Sequence, residues 1–181
     1  MTAVTELFPV TAFFCVKYDT ILKHWSFFAD NKGSIMFQKF GKANKRKLRK
    51  FTENIKLNLP DDYRKFLAKF NGGVFEGEYV GFCMRGERNS IYMSEMLGIG
   101  VENETDLGEC YDEFAEILPE NTIIIGDTIE TGKILLNCLP EDGGIYLWDN
   151  DFVLERSNEE KCIYKIADSF DEFWGKLHKV A

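Results

Sequence analysis

The sequence predicts an α+β fold in which helices pack around a mostly antiparallel sheet of about six strands. Three observations predict it. Helical periodicity is concentrated early, at 43–55 and 60–70. Short strand-like segments separated by turn residues fill most of 74–166, and one capped amphipathic helix closes the chain.

Residues 1–41 are dense in rings (Phe8, Phe13, Phe14, Trp25, Phe27, Phe28, Phe37, Phe40) but keep no clear period. They read as an N-terminal extension ordered against a main domain at 42–181, with strands or a helix around Thr20–Phe28, because each ring left in water costs about 1.5–3 kcal/mol. From Ala43 to Ile55 the apolar positions Leu48, Phe51 and Ile55 recur at helical spacing. A second helix follows Leu59-Pro60, with Tyr63, Phe66, Leu67 and Phe70 in one stripe. Pro60, Asp61 and Asp62 suit its start, where orphan N–H groups and the positive dipole end favour acids. Asn71-Gly72-Gly73 suits its end, because glycine takes the left-handed conformation without steric cost. Strand-like segments come next: Val74–Met84, Ile91–Met93, Leu97–Val101, Thr122–Gly126, Lys133–Leu139, Ile145–Asp149 and Cys162–Ile166, with turns such as Glu141-Asp142-Gly143-Gly144 between them. An acidic helix at Leu107–Leu118, closed by Pro119, interrupts them. The final helix, Ser169–Val180, opens on a capping box of Ser169 and Glu172.

A chain of 181 residues is one domain of ordinary size, alone or with an extension, and can bury roughly 70% of its unfolded surface without staples. Its 45% hydrophobic and 29% charged content excludes a disordered chain. The five cysteines are odd in number, widely spaced and never paired as C-x-x-C, which argues against a disulfide framework or a zinc site. The apolar run LFPVTAFFCV lacks a basic flank and a cleavage site and is too short to span a bilayer, so the expectation is a cytoplasmic protein with no membrane partner.

Charge is polarised. Residues 1–72 carry 14 Lys/Arg against 6 Asp/Glu, a net +8, whereas residues 73–181 carry 8 against 24, a net −16. The acidic span holds Glu102, Glu104, Asp106, Glu109, Asp112, Glu113, Glu116 and Glu120, and no Lys or Arg lies between Asn89 and Gly132. Such a surface can imitate phosphates and attract a basic protein; the plainer alternative is a solvated face that aids solubility. Asp127, Glu130, Asp149 and Asp151 sit at strand ends. They read as turn residues or partner contacts, since carboxylates there often bond local backbone and no histidine stands near for a metal. The segment Glu102–Asp106 lacks the glycine and distal glutamate of a calcium loop. His24 and His178 are in no ligand spacing, no nucleophile motif occurs, and no glycine-rich loop opens a helix, so no catalytic residue, metal ligand or cofactor is expected. The basic stretch KANKRKLRK is the one segment suited to nucleic acid; Leu48 and Phe51 claim its other face, which favours a solvated amphipathic helix.

The stretch LRKFTENIKLNLPDDYRKFLAKFNGG, followed in order by TIIIGDT, GKILLNCL, GGIYLWDND and IADSFDEFWGKL, resembles the SUKH family over about residues 40–179. Leu59, Pro60, Tyr63, Gly72 and Gly73 carry its opening motif and are read as structural. The first forty residues and the acidic span Val101–Glu120 depart from the family pattern. The family includes fungal cell-wall-synthesis regulators and bacterial immunity proteins. The resemblance therefore implies a non-enzymatic, protein-binding domain that acts on a toxin domain; the acidic charge makes the expected partner a basic one, and the expected state is a monomer or weak dimer. The alternative is a regulatory, scaffold or nucleic-acid-binding module using the basic helix at 42–50.

Overall fold

Residues 25–30, 33–76, 79–87, 89–101 and 104–180 are described by the computed structural model, and among them the chain opens on a hairpin of β1 (Trp25–Asp30) and β2 (Gly33–Lys39). Helices α1 (Lys45–Ile55) and α2 (Asp61–Lys69) follow. Then come β3 (Gly73–Phe75), β4 (Val80–Phe82), β5 (Ile91–Met96), α3 (Leu107–Phe114), β6 (Thr122–Thr128), β7 (Lys133–Asn137), β8 (Gly144–Trp148), β9 (Ile163–Ala167), α4 (Phe170–Lys176) and β10 (His178–Lys179). The strands form one sheet in the order β1-β2-β3-β5-β6-β7-β8-β9, with β4 joined to both β5 and β10. All the strand pairings are antiparallel.

The α+β class is as expected, but the sheet is larger than six strands. The hairpin β1–β2 precedes the expected set and pairs with β3. The segment expected as one strand over Val74–Met84 divides into β3 and β4. The chain after α4 turns extended at Leu177 and adds β10, ending the helix four residues before Val180. Residues 1–24, including Cys15 and His24, lie outside the described residues, as does Glu102.

Leu97–Val101 is not a strand, and the reason lies in the turn after α2. Asn71 has a φ of 53° and is buried, its amide accepting from Ile99 N at 2.9 Å and donating to Ile99 O at 3.1 Å. That side chain takes both backbone groups that a neighbouring strand would have used. Gly72, with a φ of 76°, packs so closely on the backbone of Met96 and Leu97 that a Cβ would collide with it. The helix–Asn-Gly-Gly motif is therefore a clamp between α2 and the chain leaving β5.

The core is rich in rings where α2 and α4 meet. Phe66 lies 4.8 Å from Phe170 and 5.0 Å from Trp174 between ring centroids, and Phe37 of β2 lies 5.3 Å from Trp174. Leu59 and Tyr63 are buried in this core. Asp62 ties the two helices together by accepting from Asp171 N at 3.1 Å.

Candidate functional site

Three ionisable side chains stand in a row across three strands. Glu95 on β5 is opposite Asp127 on β6, and Asp127 is opposite Lys133 on β7. Register shifts interrupt β5–β6 between Met93 and Glu95, and β6–β7 between Ile124 and Gly126. Irregularities of this kind re-aim side chains and bend a sheet locally. Lys133 Nζ binds Asp127 Oδ2 at 2.5 Å and lies 5.6 Å from the centroid of the Phe114 ring.

Helix α3 stands over this row. Asp106 caps it, accepting from Gly108 N at 2.8 Å and Glu109 N at 3.2 Å, while its second oxygen accepts from Gly100 N and Val101 N. Leu107 anchors the first turn in the core. Glu109 and Glu113, four residues apart, then share a face with Cys110 and Phe114. The helix stops at Phe114 rather than at Leu118. Asp112, Glu113 and Glu116 near its C-terminus oppose the dipole, and Pro119 disfavours helical backbone at Leu118.

Between α3 and the sheet is a cleft of about 390 Å³ lined by Glu95, Leu97, Glu104, Glu109, Cys110, Glu113, Phe114, Ile124, Asp127 and Lys133. Five of these are carboxylates and one is a cation. Burial pushes the Glu95 carboxyl above its ordinary value, with Asp127 and Glu104 adding to the effect and Lys133 opposing it. Burial draws Lys133 down, but the hydrogen bond and charge of Asp127 outweigh it and hold the ammonium above its ordinary value. Burial also raises the Cys110 thiol to about 11, which keeps it protonated and inert at neutral pH.

The structure thus gathers Glu104, Glu109, Glu113 and Asp127 from the residues singled out in the sequence. Asp112 on α3 and Glu116 just beyond its end are exposed outside the cleft lining, and Glu130 is exposed in the β6–β7 turn. Asp106 is occupied as a cap. Asp149 is 0% exposed and its carboxylate accepts from Val153 N, Leu154 N and Ser157 Oγ, so it organises the β8–β9 connection instead of facing outward. Asp151 is exposed and accepts from Asn150 Nδ2 at 3.2 Å. Glu95 was not anticipated. Its signal was a lone carboxylate inside an apolar strand, in a stretch without cations.

On α1, the cations Lys45, Arg46, Lys47, Arg49 and Lys50 are exposed; Lys47 donates to Gly100 O at 3.3 Å and Arg49 pairs with Glu53 at 2.9 Å. Among the described residues no ion pair joins α1 to the cleft carboxylates. No group of three or more His, Cys, Asp or Glu among them is arranged to hold a metal, and none of their helices is long and apolar enough to cross a membrane.

A continuous antiparallel sheet, overlaid by helices joined through a Leu-Pro and Asn-Gly-Gly frame, defines a small α+β domain of the SUKH type. The chain belongs to the SMI1 / KNR4 family (SUKH-1), whose pattern matches residues 42–176 and so takes in the whole cleft. It is also similar to the SPbeta prophage-derived uncharacterized protein YokK of Bacillus subtilis (strain 168), with 28% identity over 140 residues that cover 70% of each chain. The family is known for immunity and regulatory roles, and its members are generally non-enzymatic.

Proposed function

We propose that this protein is a cytoplasmic immunity protein that neutralises a cognate toxin by direct binding, with the cleft and α3 receiving a basic toxin domain. The observation that carries this reading is the convergence of Glu95, Glu104, Glu109, Glu113 and Asp127 on one cleft whose single cation, Lys133, is already bound to Asp127. A nuclease-like toxin domain presents cations to phosphates. A concave array of carboxylates meets the same cations, speeds encounter and covers the groups that would hold nucleic acid. Like charges placed this close disfavour one another in the free protein, and an incoming Lys or Arg relieves that cost.

Co-expression with a toxin domain, sought first in the genes that adjoin this one, tests it. Wild type restores growth. The triple variant Glu104→Gln/Glu109→Gln/Glu113→Gln loses rescue and binds about 10–100-fold more weakly, with a flatter salt dependence. Undiminished rescue by the triple variant would refute the cleft as the docking surface. A nucleic-acid-binding role for α1 is less well supported, because Lys47 and Arg49 are engaged within the protein. It predicts a low-salt gel shift abolished by neutralising Lys45, Arg46, Lys47 and Arg49.

A further inference from the structure

Phe152 is 46% exposed, Val153 52% and Ile163 37%, and all three belong to the β8–β9 connection and the strand it enters. The connection is firmly built. Asp149, fully buried at its base, accepts from Val153 N and Leu154 N at 2.9 Å each and from the Ser157 hydroxyl, which in turn lies 3.1 Å from the Tyr164 phenol oxygen. Arg156 holds the outer side through Glu87 at 3.0 Å and lies 4.3 Å from the centroid of the Tyr164 ring. At the tip, Phe152 has a φ of 55°. In that left-handed region a bulky side chain crowds its own backbone, and glycine or asparagine is the usual occupant. A buried carboxylate and a strained backbone thus hold a ring and a valine out in water. Folding alone would favour another residue at 152, and strain of this kind persists where function uses it.

We propose that Phe152 and Val153 are the apolar anchor of the docking surface and enter an apolar hollow on the basic toxin domain; this rests on the function proposed above. Two observations favour that occupant. The tip is flanked in the chain by the exposed carboxylates Asp151 and Glu155, the nearby Arg156 is paired with Glu87, and the β6–β7 turn that carries the exposed Glu130 packs through Gly132 against Asn150. The connection also leaves the sheet beside the cleft. Trp148, the last residue of β8, is opposite Lys133, and its ring meets Phe114 edge-on at 6.2 Å. Gly132, next to Lys133, packs against Asn150. An anionic membrane would bring like charge against these carboxylates, whereas the exposed cations of α1 on a second copy would not, so self-association is an outcome the test separates. A basic protein surface with an apolar hollow answers both features, as aromatic anchors at the centre of charged interfaces commonly do.

The test titrates the same toxin domain with wild type, Phe152→Gly, Val153→Ser and the triple glutamate variant, alongside thermal denaturation. Phe152→Gly leaves the melting temperature unchanged or raised and weakens binding about thirtyfold or more, through faster dissociation with salt dependence intact. The glutamate variant instead slows association and flattens the salt dependence. If wild type binds and the glutamate variant weakens binding, but both tip variants bind like wild type, the anchor is wrong and the proposed function stands. If wild type does not bind, the proposed function falls and the anchor with it. A lower melting temperature for Phe152→Gly makes the ring a structural part and overturns the proposal. So does a concentration-dependent dimer that the tip variants abolish, because the hollow would then belong to a second copy.

Discussion

The region built by α2 and α4 and the region built by α3 treat the same sheet in opposite ways. Under α2 and α4, rings meet rings: Phe66 touches Phe37, Tyr63, Phe70, Phe170 and Trp174, and Asp62 bonds the start of one helix to the start of the other. Under α3, the sheet carries Glu95, Asp127 and Lys133 side by side, and the helix adds Glu109 and Glu113, a like-charged i,i+4 pair that costs a few tenths of a kcal/mol. The first region follows every local rule of stable packing. The second gives up stability for a charged hollow, and departures of that kind mark where a protein does something other than fold.

The largest effect that separates the two regions is expected at Phe66. Phe66→Ala should cost about 3–5 kcal/mol in chemical denaturation, since a ring buried among five others leaves a cavity its neighbours cannot close. Toxin affinity of the folded fraction should not change. A loss below about 1 kcal/mol would mean that the rings are not the seat of stability. Asp149→Asn comes next, at about 2–3 kcal/mol, because three donors lose a charged acceptor. That variant sharpens the contrast between a buried and a half-buried acid: Asp149 has donors around it and stabilises, whereas Glu95 has a like charge opposite it and does not.

How far each region was legible in the sequence follows from the range of its interactions. The α2 stripe, its Asn-Gly-Gly stop and the Ser169 cap are local patterns of spacing and side-chain type, and they could be read directly. Glu109 and Glu113 could be seen to share a face for the same reason. The row across β5, β6 and β7 could not. Glu95 meets Asp127 only through a strand register with an irregularity in it, and the segment appeared to end at Met93. The clamp of Asn71 on Ile99 spans 28 residues, so Leu97–Val101 looked like one more strand. W-D-N-D reads first as a turn and second as a contact, and nothing in those letters tells that Asp149 is buried while Asp151 is exposed. Local grammar named the elements; the site was assembled by pairings between distant segments.

Glu95→Gln probes the strain in the acidic region through pH. Because burial raises the folded-state value of Glu95, the native protein holds that proton more tightly than the unfolded chain. The resulting stability is fully present below the unfolded value near 4.5 and is lost as pH rises through the raised folded value. Glutamine fixes the neutral form. The variant should therefore match wild type below about pH 4.5 and become the more stable of the two as pH rises towards about 7, as read by denaturation at each pH. A difference that is constant with pH, or of opposite sign, would show that Asp127 and burial do not strain this carboxyl.

The smallest expected effect decides whether the cleft or merely the net charge draws the partner. Asp112 on α3 and Glu116 just past its end are exposed but do not line the cleft. Asp112→Asn/Glu116→Gln should change stability by no more than about 0.5 kcal/mol, and upward if at all, because acids near a helix C-terminus oppose its dipole. Charges outside the contact act through a field that salt screens over about 8 Å at physiological ionic strength. They should slow association with a basic partner a few-fold at low salt, leave dissociation unchanged, and have no effect at about 1 M salt. Neutralising Glu109 and Glu113, two charges on α3 itself, removes the same net charge and should also speed dissociation, because those carboxylates line the cleft. Equal behaviour of the two pairs in stopped-flow kinetics would mean that the toxin responds to the total charge of α3, and the hollow between helix and sheet would lose its claim to be the site.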